Sequence, residues 1–378
     1  MAELRFSDAD LAALIPLPKS DANKYTRGTL NVVGGSAQYP GAAVLASRAG
    51  QRAGAGYTQV WCAPESVATV RSGGPSLVVR AWDEQALDQA LRKAENSAEH
   101  PMAVLIGCGF SGEDPCELRL LRTVLARNVS VVVDAGALSG LARLMANEGS
   151  DFLHARAASR AGTPLILTPH AGEASRLIGA LNRDYIDSWQ NANQDEQKNV
   201  EQDERQEGRR SASRESRAGV CGEASAGASQ GAWVGACREF QADITQQIVA
   251  AHLLADAYAA TVVLKGPETV VAHGSDTYLM DKGTPALAKA GTGDALAGII
   301  AALLAQGLSP VQAAVLGTRL HADAGNEAAR RLGVVSVIPE DVIDCIPVSI
   351  QELLAHRQSH PKLLIKLPGR NGLGTLGW

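Results

Sequence analysis

Lys289 to Gly298 reads KAGTGDALAG, and the apolar run ALAGIIAALLA continues out of it. Two glycines bracket a threonine, an acid follows at once, and what comes next has the composition of a buried helix. A glycine turn running into a helix start leaves backbone N–H groups unpaired beside the positive end of the helix dipole, and together these bind phosphate. Gly291 and Gly293 let the backbone approach a phosphoryl group closely. Asp294 then stands next to the anion, placed to take a proton from a hydroxyl that attacks phosphorus. Residue type alone leaves a second reading open, because Asp is a favoured N-cap and Asp294 would serve as one.

Working outward, short β-branched runs alternate with segments of helical spacing. The runs are LNVV from Leu30, YTQVW from Tyr57, AVLI from Ala103, SVVV from Ser130, LILT from Leu165 and TVVL from Thr261. PGAAVLASRAGQRAG and DEQALDQALRKAEN, with apolar residues at helical intervals, lie between them. This pattern predicts an α/β fold with a mostly parallel central sheet and helices on both faces. TVVLKGPETVVAHG followed by TYLMD predicts neighbouring strands joined by short turns.

In such sheets ligands lie beyond the carboxyl ends of the strands. The residues there are Gly34-Gly35-Ser36 and Tyr39-Pro40-Gly41-Ala42 after the first run, and Gly107-Cys108-Gly109 after the third. Asp134-Ala135-Gly136, Pro169-His170 with Gly172-Glu173, and Lys265-Gly266-Pro267-Glu268-Thr269 follow the later ones. All fall on the edge that GTGD also reaches, which favours the anion-site reading. Individually they stay open. Ala42 either admits a ligand at a helix start or packs closely there. His170 is a hydrogen-bond partner in the site or a structural histidine, and Lys265 neutralises phosphate or ends a strand before a β-turn. Asp134 touches magnesium through water or caps the following segment. Cys108 reads as a small packing residue and not a nucleophile, since nothing near it in sequence offers a base.

The chain has 378 residues, 46% apolar and 20% charged, with a net charge of −5. That balance provides no global field for nucleic acid or an anionic membrane. No run approaches the roughly 20 apolar residues that span a bilayer. Six cysteines without a CxxC or a zinc-like spacing, and a start lacking the flank of a signal peptide, predict reduced thiols in the cytoplasm. Residues 189–239, dominated by Gln, Glu, Arg, Ser and Gly, predict a disordered insertion. Residues 356–378 predict a flexible tail, so a single domain is expected over 1–355, interrupted by the insertion.

GTGD, taken with LTPHAGE, VDAGAL, VVLKGPET and GGSAQYPGAA, resembles the adenine-nucleotide-dependent NAD(P)H-hydrate dehydratases, a branch of the ribokinase-like superfamily. The resemblance runs from Asp8 to Ile350. GTGD is shared across the superfamily, whereas LTPHAGE, VDAGAL and KGPET belong to the dehydratase branch. It implies ADP-dependent dehydration of the S epimer of hydrated NADH or NADPH, with AMP and phosphate released and Mg2+ assisting. Asp294 is then the catalytic base, and Ala42, Gly109, His170 and Asp294 match positions that bind the hydrated dinucleotide. Lys265, Gly266, Pro267, Glu268, Thr269, Thr292 and Gly293 match the adenine-nucleotide site. A cytoplasmic homo-oligomer, most simply a tetramer, is also implied.

The chain departs from the family pattern in three places. Thr284 stands where an asparagine is usual, Cys108 replaces a common proline, and the insertion is longer. With the first predicted strand at Leu30, the epimerisation that many relatives carry out with a fused domain is expected from another protein or to occur spontaneously. Two rivals share the motifs: a small-molecule kinase of the vitamin or thiazole type, and a non-catalytic nucleotide-binding interaction protein.

Overall fold

The computed structural model describes residues 2–4, 6–95, 101–158, 163–192 and 243–359. Ten strands are present among them: β1 (Ala2–Leu4), β2 (Thr29–Val33), β3 (Tyr57–Cys62), β4 (Val78–Ala81), β5 (Met102–Ile106), β6 (Ser130–Val133), β7 (Leu165–Leu167), β8 (Thr261–Leu264), β9 (Thr269–His273) and β10 (Asp276–Met280). They form one sheet in the order β1-β10-β9-β8-β7-β6-β5-β2-β3-β4. Only β9 runs antiparallel to its neighbours, β8 and β10; the other pairings are parallel.

The helices are α1 (Asp8–Leu14), α2 (Pro40–Arg52), α3 (Val67–Ser72), α4 (Glu84–Glu95), α5 (Pro115–Leu125), α6 (Gly136–Glu148), α7 (Asp151–Ala158), α8 (Ala171–Gly179), α9 (183–192), α10 (Ile244–Ala257), α11 (Thr292–Ala305), α12 (Pro310–Leu332) and α13 (Pro339–Ser359). Leu30, Val32, Leu105, Val132 and Val263 point to a core closed by α2, α11, α12 and α13. Val33, Val104, Ile106, Val133 and Leu264 point to a second core closed by α4, α5, α6, α8 and α10. Burial on both faces is why these strands read as continuous apolar runs and not as alternating ones.

Helix α11 lies deepest. Every side chain from Ala295 through Ala305 is buried, the signature of a core helix apolar all round. It gets there because small residues let backbones meet: a Cβ on Gly298 would stand 2.1 Å from the Ala46 carbonyl oxygen of α2. From β2 the sheet grows one way through β3 and β4, and the other way through β5 to β8. This reversal of strand order opens a crevice beyond the carboxyl ends of β2 and β5.

Two edge strands, β1 and β4, were not signalled by the sequence runs. At the boundaries expected for the insertion and the tail, α9 continues through Trp189, whose Nε1 donates to Asp256 of α10 at 2.6 Å, and α13 continues past His356 to Ser359. The rest of the predicted insertion and tail, 193–239 and 360–378, lies outside the described residues.

Candidate active site

The floor of the crevice is made of glycine turns that leave no room for side chains. After β2, the Gly35 amide donates to the Cys108 carbonyl at 2.8 Å, and a Cβ on Gly34 would lie 2.4 Å from that same oxygen. Gly109 has φ +77°, and its Cβ would meet the Tyr39 carbonyl at 2.5 Å and the Ala42 side chain at 3.1 Å. Ala42 and Gly109, singled out separately in the sequence, are therefore neighbours across the strand-order reversal. The loop is braced from below by Glu117, buried, which accepts from the Ser111 amide, the Ser111 hydroxyl and the Gly112 amide at 3.0, 2.9 and 2.9 Å. Sequence reasoning missed Glu117, and its residue type in GFSGEDPCE offers no distinctive signal.

Next along the edge, Asp134 follows β6 and is 2% exposed. Its Oδ1 accepts from the Thr168 hydroxyl at 2.7 Å and from Lys265 Nζ at 2.8 Å. Thus Asp134 is an ion-pair partner inside the crevice and not the cap of the segment after it. Lys265 is also 3.8 Å from Glu173. Burial opposes its charge, but Asp134 and Glu173 outweigh that, and the Lys265 ammonium is held above its ordinary range. Glu173 is pushed upward by burial against the pull of Lys265. The structural reading of His170 is realised: it is the N-cap of α8, with Nδ1 accepting from the Gly172 amide at 3.0 Å while Glu173 returns a bond to the His170 amide at 2.8 Å. Its ring is nonetheless exposed on the crevice edge. Lys265 pairs through its amide with the Pro169 carbonyl, so the His170 and Lys265 segments are tied side by side. Gly266, Pro267 and Glu268 form an exposed turn leading to Thr269 at the start of β9.

Helix α11 enters this group from the other core. Gly291 is its N-cap, at φ +96°, and no side chain caps the helix. Thr292 fixes the turn by placing its hydroxyl 2.7 Å from the Leu287 carbonyl and 2.8 Å from that of Lys289. The position a Cβ of Gly293 would take is 3.6 Å from Lys265 Nζ, so an ammonium group adjoins the open helix start. Asp294 sits one residue further in, clear of the N-cap position, and the capping reading does not hold. Burial first, then the charge of Asp134, pushes its pKa up to about 7, while a Cys108 hydrogen bond and Lys265 pull it down and Glu173 pushes it up. A carboxyl that ionises near neutrality is suited to general-base work.

Cys108 is buried as expected of a packing residue, and burial lifts its thiol well above the usual range, so it is no nucleophile. Its sulfur is 3.9 Å from Asp134 Oδ2. Thr284 caps the short helical turn at Pro285–Leu287, its hydroxyl accepting from the Ala286 amide at 3.4 Å. Among the described residues, Cys108, Asp134 and Asp294 are the one group with metal-like spacing. They do not fit Mg2+, because Lys265 already holds Asp134 and a thiol is a soft ligand. A cavity of about 350 Å3 lies elsewhere, beside the start of β6; its Arg122, Arg127 and Arg156 are engaged by Glu148, Asp88 and backbone carbonyls.

A family model described as NAD(P)H-hydrate dehydratase matches residues 30–212 and 236–348. The chain belongs to this family. Within the NAD(P)H-hydrate dehydratase family it is 32% identical over 356 residues to the bifunctional NAD(P)H-hydrate repair enzyme of Salinibacter ruber, covering 90% of this chain and 51% of that protein. The chain thus spans about half the length of the bifunctional relatives it matches. It is 27% identical over 348 residues to the ADP-dependent (S)-NAD(P)H-hydrate dehydratase of Nitrosopumilus maritimus, covering 90% of this chain and 96% of that one. A crystal structure of the ADP/ATP-dependent NAD(P)H-hydrate dehydratase of Bacillus subtilis, co-crystallized with ATP and Mg2+, matches with a TM-score of 0.63 at 22% identity, covering 92% and 97% of the two chains. The fold is the ribokinase-like one expected from the sequence.

Proposed function

We propose that the protein dehydrates the S epimer of hydrated NADH or NADPH at the cost of ADP, restoring the reduced cofactor and releasing AMP and phosphate. The observation that carries this is Asp294: poised to ionise at about 7, and in the first turn of a helix that no side chain caps and whose start adjoins the Lys265 ammonium. Hydroxide is a poor leaving group and phosphate a good one, so the ring hydroxyl is first phosphorylated. Asp294 takes the hydroxyl proton, the oxygen bonds to the terminal phosphorus, and the bond from that phosphorus to AMP breaks. The ring nitrogen then expels phosphate, and loss of a ring C–H proton restores the dihydronicotinamide.

In this reading the damaged ring lies against the close-packed turn where Ala42 meets Gly109, with the exposed edge of His170 as a polar partner. Lys265, the Gly266–Thr269 turn and the Gly293 amide hold the phosphates of ADP and the charge that develops in transfer, with Thr292, whose amide donates to the Lys289 carbonyl, fixing the turn. Magnesium is assigned to the nucleotide phosphates and not to a protein cage. We place the enzyme in the cytoplasm as a homo-oligomer, most simply a tetramer, with an epimerase acting upstream. No described helix is long and apolar enough to cross a membrane. Product analysis separates this proposal from a vitamin or thiazole-type kinase: AMP and phosphate should appear in equal amounts with the reduced cofactor, whereas a kinase leaves a stable phosphorylated product.

A further inference from the structure

Three neighbouring strands each deliver one polar side chain at the first residue past their carboxyl ends. β6 is followed by Asp134, β7 by Thr168 and β8 by Lys265, and the strands pair in parallel in that order. Backbone bonds set the three residues side by side: the Asp134 amide donates to the Ile106 carbonyl at 3.1 Å, the Thr168 amide to Val133 at 3.2 Å and the Lys265 amide to Pro169 at 2.8 Å. Their side chains converge on one atom. Asp134 Oδ1 accepts from the Thr168 hydroxyl at 2.7 Å and from Lys265 Nζ at 2.8 Å.

The acid and the hydroxyl are the fixed parts of this group. Asp134 and Thr168 are 2% and 0% exposed, while the Lys265 side chain keeps 19% of its surface open. Asp134 has no room to shift, because a Cβ on Gly107 would already stand 2.0 Å from its carbonyl oxygen. Lys265 is the flexible part, a point charge on a four-carbon stem. Its other acidic neighbour, Glu173, lies further off at 3.8 Å and is committed to the His170 amide at 2.8 Å. Held by Asp134, Nζ stands 3.6 Å from the position a Cβ of Gly293 would take, in the first turn of α11.

We infer that Asp134, braced by Thr168, is a positioning residue that holds the Lys265 ammonium against the start of α11, where the phosphoryl group is transferred. The inference rests on the dehydratase reading, in which Lys265 meets the charge that develops during transfer. A charge-assisted bond to a rigid acceptor places the ammonium before the reaction begins, so that no reorganisation is needed when the charge appears. The Thr168 hydroxyl, donating to the same oxygen, fixes the rotation of the carboxylate.

The test compares kcat for ADP-dependent dehydration and the calorimetric dissociation constant for ADP in the wild type, Asp134→Asn, Lys265→Met and the double variant. Asp134→Asn keeps the shape but gives up the charge, so kcat falls about 10- to 100-fold, the usual worth of a hydrogen bond to a charged group. ADP affinity is held or raised, because the ammonium still reaches a phosphate and a negative charge beside the anion is gone. In the Lys265→Met background the same substitution brings no further fall in kcat, since the group that Asp134 positions is absent. A loss of full size in that background would show Asp134 acting directly on the substrate or on magnesium, and overturns the inference. So does Asp134→Asn with a wild-type kcat, or with weaker ADP binding as its one defect. Should Asp134→Asn not fold, Thr168→Val, which exchanges the bracing hydroxyl for a methyl, decides: kcat falls with ADP affinity held, and an unchanged kcat overturns the inference. If the wild type itself does not restore the reduced cofactor with ADP, the dehydratase reading fails and this inference with it, which distinguishes the two failures.

Discussion

Asp294 is held where a carboxylate is poorly accommodated, and that is both its use and its cost. GTGD made the residue legible as a base or a cap, because an acid after a glycine turn suits either role. What decided between them, the Gly291 cap and the burial beside Asp134, depends on segments far apart in sequence. Cys108 was legible as a small buried residue for the same local reason, and its place between two carboxylates was not. Asp294→Asn should lower turnover by about 10²–10⁴, the usual worth of a general base, with ADP affinity largely kept. Calorimetric titration and single-turnover assays check the two halves. Stability moves the other way. Asp294 ionises at about 7 when folded, against 3.8 for an ordinary aspartate. Below the lower value both states carry the proton, and above about 7 the folded protein bears the full cost of the charge. Asp294→Asn should therefore melt above the wild type at pH 8, with the difference shrinking toward pH 4. Equal melting at pH 8 would mean the site does not strain the carboxylate.

At the scale of elements, helix α11 carries two glycines with different duties. Gly293 has no positive φ, unlike Gly291, and space for a Cβ is limited only by Lys265 Nζ at 3.6 Å. Gly293→Val should therefore fold and lose ADP affinity, since its branched side chain fills the phosphate space. At Gly298 the neighbour is rigid backbone, the Ala46 carbonyl at 2.1 Å. Gly298→Val must separate α2 from α11 and should cost on the order of 3 kcal/mol or more in stability, read by urea denaturation. Unchanged ADP affinity in folded Gly293→Val would remove the helix start from the anion site. The contrast also shows what periodicity conveys. The apolar run of α11 and the buried strands were plain from local composition. β1 and β4 were not, because an edge strand is set by its partner as much as by its own residues.

The order of the ten strands, and hence the crevice, is a property of the whole molecule. Sequence placed the chemical residues on one edge of the sheet, yet which turns become neighbours depends on β5 returning beside β2, a pairing of residues about 70 positions apart. That is how Ala42 meets Gly109; Asp134 meets Lys265 because β7 pairs with both β6 and β8. The long segment between α9 and α10 enters at this scale as well. It leaves α9 just after Trp189, which is bonded to Asp256 of α10, and its composition denies it a core. Replacing 193–239 by a short Gly/Ser linker should preserve the fold and the reaction, as each doubling of loop length costs only about 0.6 kcal/mol. Loss of activity in a folded deletion variant would make the segment part of the site or of a subunit contact. The most direct test of the whole account is to incubate the protein with S-hydrated NADH and follow the absorbance of the reduced nicotinamide. Full recovery should require ADP and be lost in Asp294→Asn. No recovery with either ADP or ATP, or a stable phosphorylated product in its place, would contradict it.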